Sequence, residues 1–436
     1  LHNKERKKEE KIMEKKIGFH YFQDLNHYQS RDLALWQPEL ESLQAGWLVL
    51  KASPNYAIPE EFITGLLDSD VQPIIHFDIP VNSDYRPEDL RILLSSYARW
   101  GVKYVIFFDR PNMKSSWLHD TWSQGDLVER FLDRYLPFVR AAEQNGLTPI
   151  FPPLQPGGDY WDLSFLKKVL NLVKQRRSLD FVSNLHIAVS SQTFNHPLSW
   201  GAGGKRNWKV PRPYSKSEIG EEDHIGFNTW QWYSDLVNSI LGIEPKLFLF
   251  YFGSADIKQS VLDPKVSFEE LIDFAMKPSE EAGRAAEQKN NILGCLFWIL
   301  STSEPNEDGK TAFFDITGEV KVPEIKSYKE KLENTRKQNL EYAVSDRLAE
   351  WIYPIDHYIL LPSYEWGIPE NTFDRIRPIL RDSRPTIGFS LIEATNARKV
   401  TVWNENGAFS VKDIDILREA GCLIDEQIVN SIGIPA

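Results

Sequence analysis

Between Lys16 and Ser303 the chain repeats one pattern, a short and nearly continuous apolar run followed by a longer amphipathic stretch. The runs are Ile17–Phe22, Trp47–Ala52, Val71–Phe77, Val102–Phe108, Leu147–Phe151, Leu185–Ser190, Lys246–Phe252 and Ile292–Leu300. Parallel strands buried on both faces read this way, without polar alternation. The stretches between them carry helix signals. Pro59–Asp68 opens with proline at a first-turn position. Pro87–Trp100 spaces Leu90, Leu93, Leu94 and Tyr97 at helical intervals. Leu127–Asn145 ends at Asn145-Gly146, Trp230–Leu241 ends at Gly242, and Leu163–Lys174 follows the same rule. Eight strand–helix units predict a closed (β/α)8 TIM barrel of α/β class over residues 16–326. An open doubly wound sheet is the alternative. It calls for a glycine-rich turn after the first strand, and His20-Tyr21-Phe22-Gln23-Asp24 has none.

Beyond the barrel the composition shifts. Lys, Glu, Asn and Arg dominate around Ser327–Trp351, which reads as a helical linker. Residues 352–436 then offer strand-like runs at Tyr358–Pro362, Lys399–Trp403 and Cys422–Ile428, separated by helix-like Asn371–Leu380, Ser390–Arg398 and Val411–Ala420. This predicts a small C-terminal α/β domain, with no phosphate loop or nucleophile motif. At the other end, residues 1–15 are mostly Lys, Glu and Arg with little to bury, and read as a disordered charged leader. They lack the apolar core of a secretory signal, so a cytoplasmic location is expected. The chain opens on Leu1, with its first methionine at Met13, which leaves room for an upstream segment.

A formal net charge of -12 argues against nucleic acid as a partner, because phosphate recognition needs a basic face. No apolar run approaches the roughly 18 residues of a membrane span. Cys295 and Cys422 sit in separate apolar runs, with neither a disulfide framework nor metal-ligand spacing, and suit a reducing compartment. No metal and no cofactor is expected. Oligomeric state is not legible. Aromatic residues make up 12% of the chain, and many tryptophans fall in loops, Trp117, Trp122, Trp161, Trp200 and Trp208 among them. Such rings either cover long loops or stack on the apolar faces of sugars.

In a barrel of this kind chemistry gathers at the C-terminal ends of the strands. There the sequence places His20, His76, Asp78, Asp109, Arg110, Asn112, Asp159, Trp161, Tyr251, Trp298 and Glu304. Carboxylates, imidazoles, amides and flat rings together suit a neutral, hydroxyl-rich ligand such as an oligosaccharide or glycoside. The loop from Ser191 to Asn228, long and rich in Gly, Pro, Trp and Asn, reads as functional.

Three segments carry a family resemblance. Asp109-Arg110-Pro111-Asn112 resembles the Asn-Glu-Pro-Asn end of strand four in the clan A barrel glycoside hydrolases. Phe250-Tyr251-Phe252-Gly253 resembles their strand-seven Thr-Glu-x-Gly, and Trp298 the tryptophan that closes the sugar subsite after strand eight. The resemblance covers roughly residues 16–303 and implies a sugar cleft. It also implies that Arg110 stands in the slot of the acid/base glutamate and Tyr251 in that of the nucleophile. Retaining hydrolysis uses two carboxyl groups about 5–5.5 Å apart, and a guanidinium donates no proton at neutral pH. We therefore expect a carbohydrate-binding barrel, of pseudoenzyme type, in which hydrolysis by the usual glutamate pair is lost. Two alternatives stand beside it. One is an active glycoside hydrolase that uses Asp78, Asp109, Asp159 or Glu304 in a rearranged pair, or Tyr251 as nucleophile with a neighbouring carboxylate as base. The other is a scaffold protein. The expected substrate contacts are His20, His76, Arg110, Asn112, Asp159, Trp161 and Trp298.

Overall fold

The structure, a computed structural model, describes residues 15–176, 184–209, 220–253, 266–276, 288–303, 312–334, 353–364 and 367–429. The chain divides into two compact units, Leu1–Leu332 and Glu333–Ala436.

In the first unit eight strands close a barrel: β1 (Ile17–His20), β2 (Trp47–Lys51), β3 (Gln72–Phe77), β4 (Tyr104–Phe107), β5 (Thr148–Phe151), β6 (His186–Gln192), β7 (Lys246–Gly253) and β8 (Ile292–Phe297). Every neighbouring pair is parallel, and β1 closes the ring against β8. All eight predicted strands are present; β1, β2, β3 and β5 are a residue or two shorter than their apolar runs, β4 and β8 three shorter, and β6 and β7 one longer. The helices between them are α1 (Ser30–Ser42), α2 (Glu60–Asp68), α3 (Arg91–Arg99), α4 (Leu127–Gln144), α5 (Asp162–Gln175), α6 (Thr229–Leu241) and α7 (Phe268–Met276). A helix over 323–334, α8, takes up the start of the expected linker; the rest of that segment lies outside the described residues. The charged leader over residues 1–15 lies outside them too, except for Lys15.

Two cores follow from strand alternation. Trp47, Val49, Ile74, Ile106, Ile150, Ala188, Phe248, Phe250 and Leu296 point inward and fill the barrel. Their neighbours, such as Leu48, Leu50, Ile75 and Phe107, point outward and pack beneath the helices. Gly18 is inward, and a Cβ there would lie 2.6 Å from the Trp47 Cβ and 2.7 Å from the Trp47 carbonyl oxygen. Backbone and a fully packed ring leave it no room to shift. Gly18→Ala is expected to cost about 2–3 kcal/mol in urea unfolding; a loss below about 0.5 kcal/mol would mean that this layer is loosely packed.

In the second unit β9 (Ile355–Leu360), β10 (Thr386–Gly388), β11 (Ala397–Glu405) and β12 (Leu423–Val429) form a parallel sheet in the order β10-β9-β11-β12. Helices α9 (Glu370–Ser383), α10 (Leu391–Ala394) and α11 (Val411–Glu419) connect them. One core holds Tyr358, Val400 and Ile414; a second, with Trp403, takes in Ile376 of α9. The predicted small α/β domain is there, with two differences. The strand β10 is an addition, and the helix expected over Ser390–Arg398 is a single turn, because the chain enters β11 at Ala397. Ser410 caps α11 with Asp413 in a reciprocal capping box. No helix among the described residues is long and apolar enough to cross a membrane.

Candidate active-site cleft

Parity fixes which side chains stand above the barrel core. Lys51, His76 and Trp298 come two residues after the inward Val49, Ile74 and Leu296, and His20 two after Gly18. The rim is thus assembled by the same alternation that fills the interior.

Two irregularities add to it. After β4, Phe108 takes a φ of 69° and turns into the outer core, and Arg110 has a φ of 41°. The chain therefore leaves the strand abruptly, with Asp109 directed at β7. In β7 the pairing with β6 shifts, so that Val189 lies opposite Leu249 but Ser190 opposite Tyr251. Phe250 is the extra residue of this bulge, and both it and Tyr251 pack against the interior cluster.

Tyr251 is the hub. Its ring stacks on His20 at 5.1 Å, with 7° between the planes, and meets the edge of Trp298 at 5.2 Å. His20 lies 4.8 Å from Trp298 in turn. The Tyr251 hydroxyl donates to Asp109 Oδ1 at 2.9 Å, and Arg110 Nε donates to Asp109 Oδ2 at 2.6 Å. The guanidinium also lies 5.6 Å from the centre of the Tyr251 ring. Both oxygens of Asp109 are thus engaged. Beside this group Lys51 Nζ pairs with Asp78 Oδ2 at 3.1 Å. His76 Nε2 donates to the Phe108 carbonyl at 3.0 Å, and His20 Nε2 donates to the Phe250 carbonyl. The Trp298–Ile299 peptide bond is cis.

The environment sets the protonation states. Burial, then the neighbouring Asp109 charge, hold the Tyr251 phenol protonated well above its ordinary range. Burial opposes the charge of Arg110, but Asp109 and then Tyr251 outweigh it and keep the guanidinium more firmly protonated. Burial pushes the His20 imidazole down to about 3. Burial would raise the Asp78 carboxyl, yet His76, Lys51 and Arg110 together bring it below the usual carboxylate range.

Of the residues predicted from sequence, the structure brings His20, His76, Asp78, Asp109, Arg110, Tyr251 and Trp298 together. The Tyr251 hydroxyl, considered above as a nucleophile, donates to the Asp109 carboxylate and is held protonated by burial. Asn112 is elsewhere engaged. It is fully buried, its Nδ2 donates to the carbonyls of Gln155 and Tyr160, and its Oδ1 accepts from Gln155 N. Its amide ties the strand-four turn to the strand-five loop. Asp159 is exposed and accepts from Lys114 N at 2.8 Å. The Trp161 ring packs edge-on against His224 at 5.1 Å. Glu304 lies outside the described residues. Sequence reading left Phe250 out of the site. It also passed over the buried group formed by Asp162 with His224 and Tyr233, each at 2.8 Å. Asp162 also accepts from Gly157 N, so this group anchors α5 and the glycine turn before it.

No family model matches the chain, and no curated protein sequence does. Solved structures similar to it include glycoside hydrolases. A family 39 glycoside hydrolase from the gut symbiont Bacteroides cellulosilyticus WH2 matches at 12% identity and a TM-score of 0.45, over 73% of this chain and 64% of that one. A monomeric beta-xylosidase from Caulobacter crescentus CB15 matches at 12% identity and a TM-score of 0.45, over 72% and 67%. A family 128 endo-beta-1,3-glucanase from Sorangium cellulosum matches at 15% identity and a TM-score of 0.41, over 72% and 97%. The chain therefore spans just under two thirds of the first of these.

Proposed function

We propose that the barrel binds a neutral oligosaccharide at its strand ends and does not hydrolyse it with a carboxyl pair. The observation that carries this reading is the state of Asp109. Its two oxygens accept from Arg110 and Tyr251, so the one carboxylate at the end of strand four holds the rim together. Neither of its partners is a carboxyl group. The guanidinium donates no proton at neutral pH, and burial disfavours the phenolate that would attack an anomeric carbon.

What remains suits binding. The charges pair internally, Lys51 with Asp78 and Arg110 with Asp109, which leaves little field to favour an ion. Trp298 offers an apolar face beside Tyr251. The Arg110 side chain is 45% exposed, and its terminal Nη groups donate to nothing among the described residues, so they are available to sugar hydroxyls.

Calorimetry against a panel of gluco-, xylo- and manno-oligosaccharides, with a parallel assay for released reducing ends, tests the proposal. We expect binding without turnover, and at least about a tenfold loss of affinity in Trp298→Ala if the ring supplies about 1–2 kcal/mol. Binding that is unchanged in Trp298→Ala, or absent across the panel, sinks it. Turnover abolished by Asp78→Asn would make the chain a hydrolase with a rearranged pair.

A further inference from the structure

We infer that the cleft extends to a second sugar subsite, in a groove between the loops that follow β1 and β2, with Tyr56 as its stacking platform. This inference rests on the proposed carbohydrate function and adds where the chain of sugars runs.

The groove has a volume of about 290 Å³ and is walled by Asn26, Tyr28, Gln29, Ser53, Tyr56 and Pro59. Small-ligand sites run from roughly 300 to 1,000 Å³, so this one suits a single ring of a longer ligand. Its walls are mixed in the way a pyranose needs, with one flat aromatic face and amide and hydroxyl groups around it. Tyr56 is 55% exposed, and it is the only aromatic residue of the barrel unit classed as exposed among the described residues. Every other large ring among the described residues of that unit is at least partly packed into the fold. Its hydroxyl makes no hydrogen bond among the described residues, and neither does the side-chain amide of Asn26.

The groove is joined to the cleft through covalent chain and hydrogen bonds. Ser53 comes two residues after Lys51, the cation that pairs with Asp78. The Tyr28 hydroxyl donates to the Lys51 carbonyl at 2.6 Å, so one wall of the groove is fixed to the rim itself. The loop carrying Tyr56 is braced from the other side, where the Tyr85 hydroxyl donates to Asn55 Oδ1 at 3.3 Å, and from within by Asn55 N donating to Ser53 Oγ. A platform on a braced loop loses little freedom on binding. The ligand is accordingly an oligosaccharide at least two units long, laid across the β1 and β2 sector of the rim.

The test is calorimetric, with β-linked gluco- and xylo-oligosaccharides one to five units long, on wild type, Tyr56→Ala and Ala57→Trp. Ala57 also lines the groove, and its replacement fills the space without removing the platform. We expect affinity to rise with length, and both variants to lose about tenfold on the longer ligands while keeping wild-type affinity for the shortest one that binds. Unchanged unfolding curves in either variant keep the comparison fair. Length-dependent binding that neither variant alters overturns the second subsite and leaves the cleft standing. No binding of any member to wild type overturns the carbohydrate reading, and this inference with it.

Discussion

Asp109→Ala is expected to destabilise the barrel by about 2 kcal/mol in urea unfolding, and Asp109→Asn by about half as much. The main cost is the Tyr251 hydroxyl, which donates to Asp109 Oδ1 at 2.9 Å and which burial keeps protonated. A buried donor left without a partner costs about 1–3 kcal/mol. Asparagine keeps an oxygen for it, whereas alanine does not. The ion pair with Arg110 adds less than its 2.6 Å length suggests, since the guanidinium is nearly half in water. A double-mutant cycle with Tyr251→Phe isolates the term. Removing the phenol first should shrink the cost of Asp109→Ala. Equal losses in Ala and Asn variants, with no coupling to Tyr251, would show that the hydroxyl is satisfied by something else.

The second large effect concerns acid. Burial leaves the His20 imidazole neutral in the folded protein down to about pH 3, against an ordinary value of 6.5. Between those limits the unfolded chain binds a proton that the folded one refuses, so stability falls as pH falls. The slope from this one group approaches 1.4 kcal/mol per pH unit, and the effect vanishes above pH 6.5. His186 and His357 are also lowered by burial, so the informative quantity is the difference between wild type and His20→Gln. We expect the gap between their unfolding free energies to shift in the variant's favour from pH 7 to pH 4.5. Staying above pH 4.5 keeps Asp78 ionised throughout, because its carboxyl lies below the usual range. Parallel pH profiles for the two proteins would refute a buried neutral imidazole.

Most of the fold was legible because strands buried on both faces leave an uninterrupted apolar record. Where that record breaks, reading fails. Helix α1 was passed over; Pro38 lies inside it, and only Asp32, Trp36 and Leu40 are buried along its length. Strand β10 has three residues, too few to show a period. At the site, His20, His76 and Trp298 follow from alternation alone. The meeting of Asp109 with Tyr251 does not, because it depends on a bulge at Phe250 and a left-handed turn at Phe108, and neither residue type advertises such a backbone. The partners of Asn112 were not legible either. Its place in a motif suggested ligand contact, while its real partners stand 43 residues on in Gln155 and 48 on in Tyr160.

The closure of the ring by β1 against β8 carries a consequence for how the molecule is made. Ile17 is paired with Cys295, and Phe19 with Phe297. At ribosomal speeds of roughly 5–20 residues per second, the opening strand is exposed for roughly 15–60 s before its last partner emerges. Nothing short of nearly the whole first unit can satisfy it. Loop-closure cost over such a span makes assembly slow, and each unfinished chain presents two raw margins to its neighbours on a polysome. A nascent chain of this protein therefore carries an unpaired strand for longer than a helical bundle of equal length would.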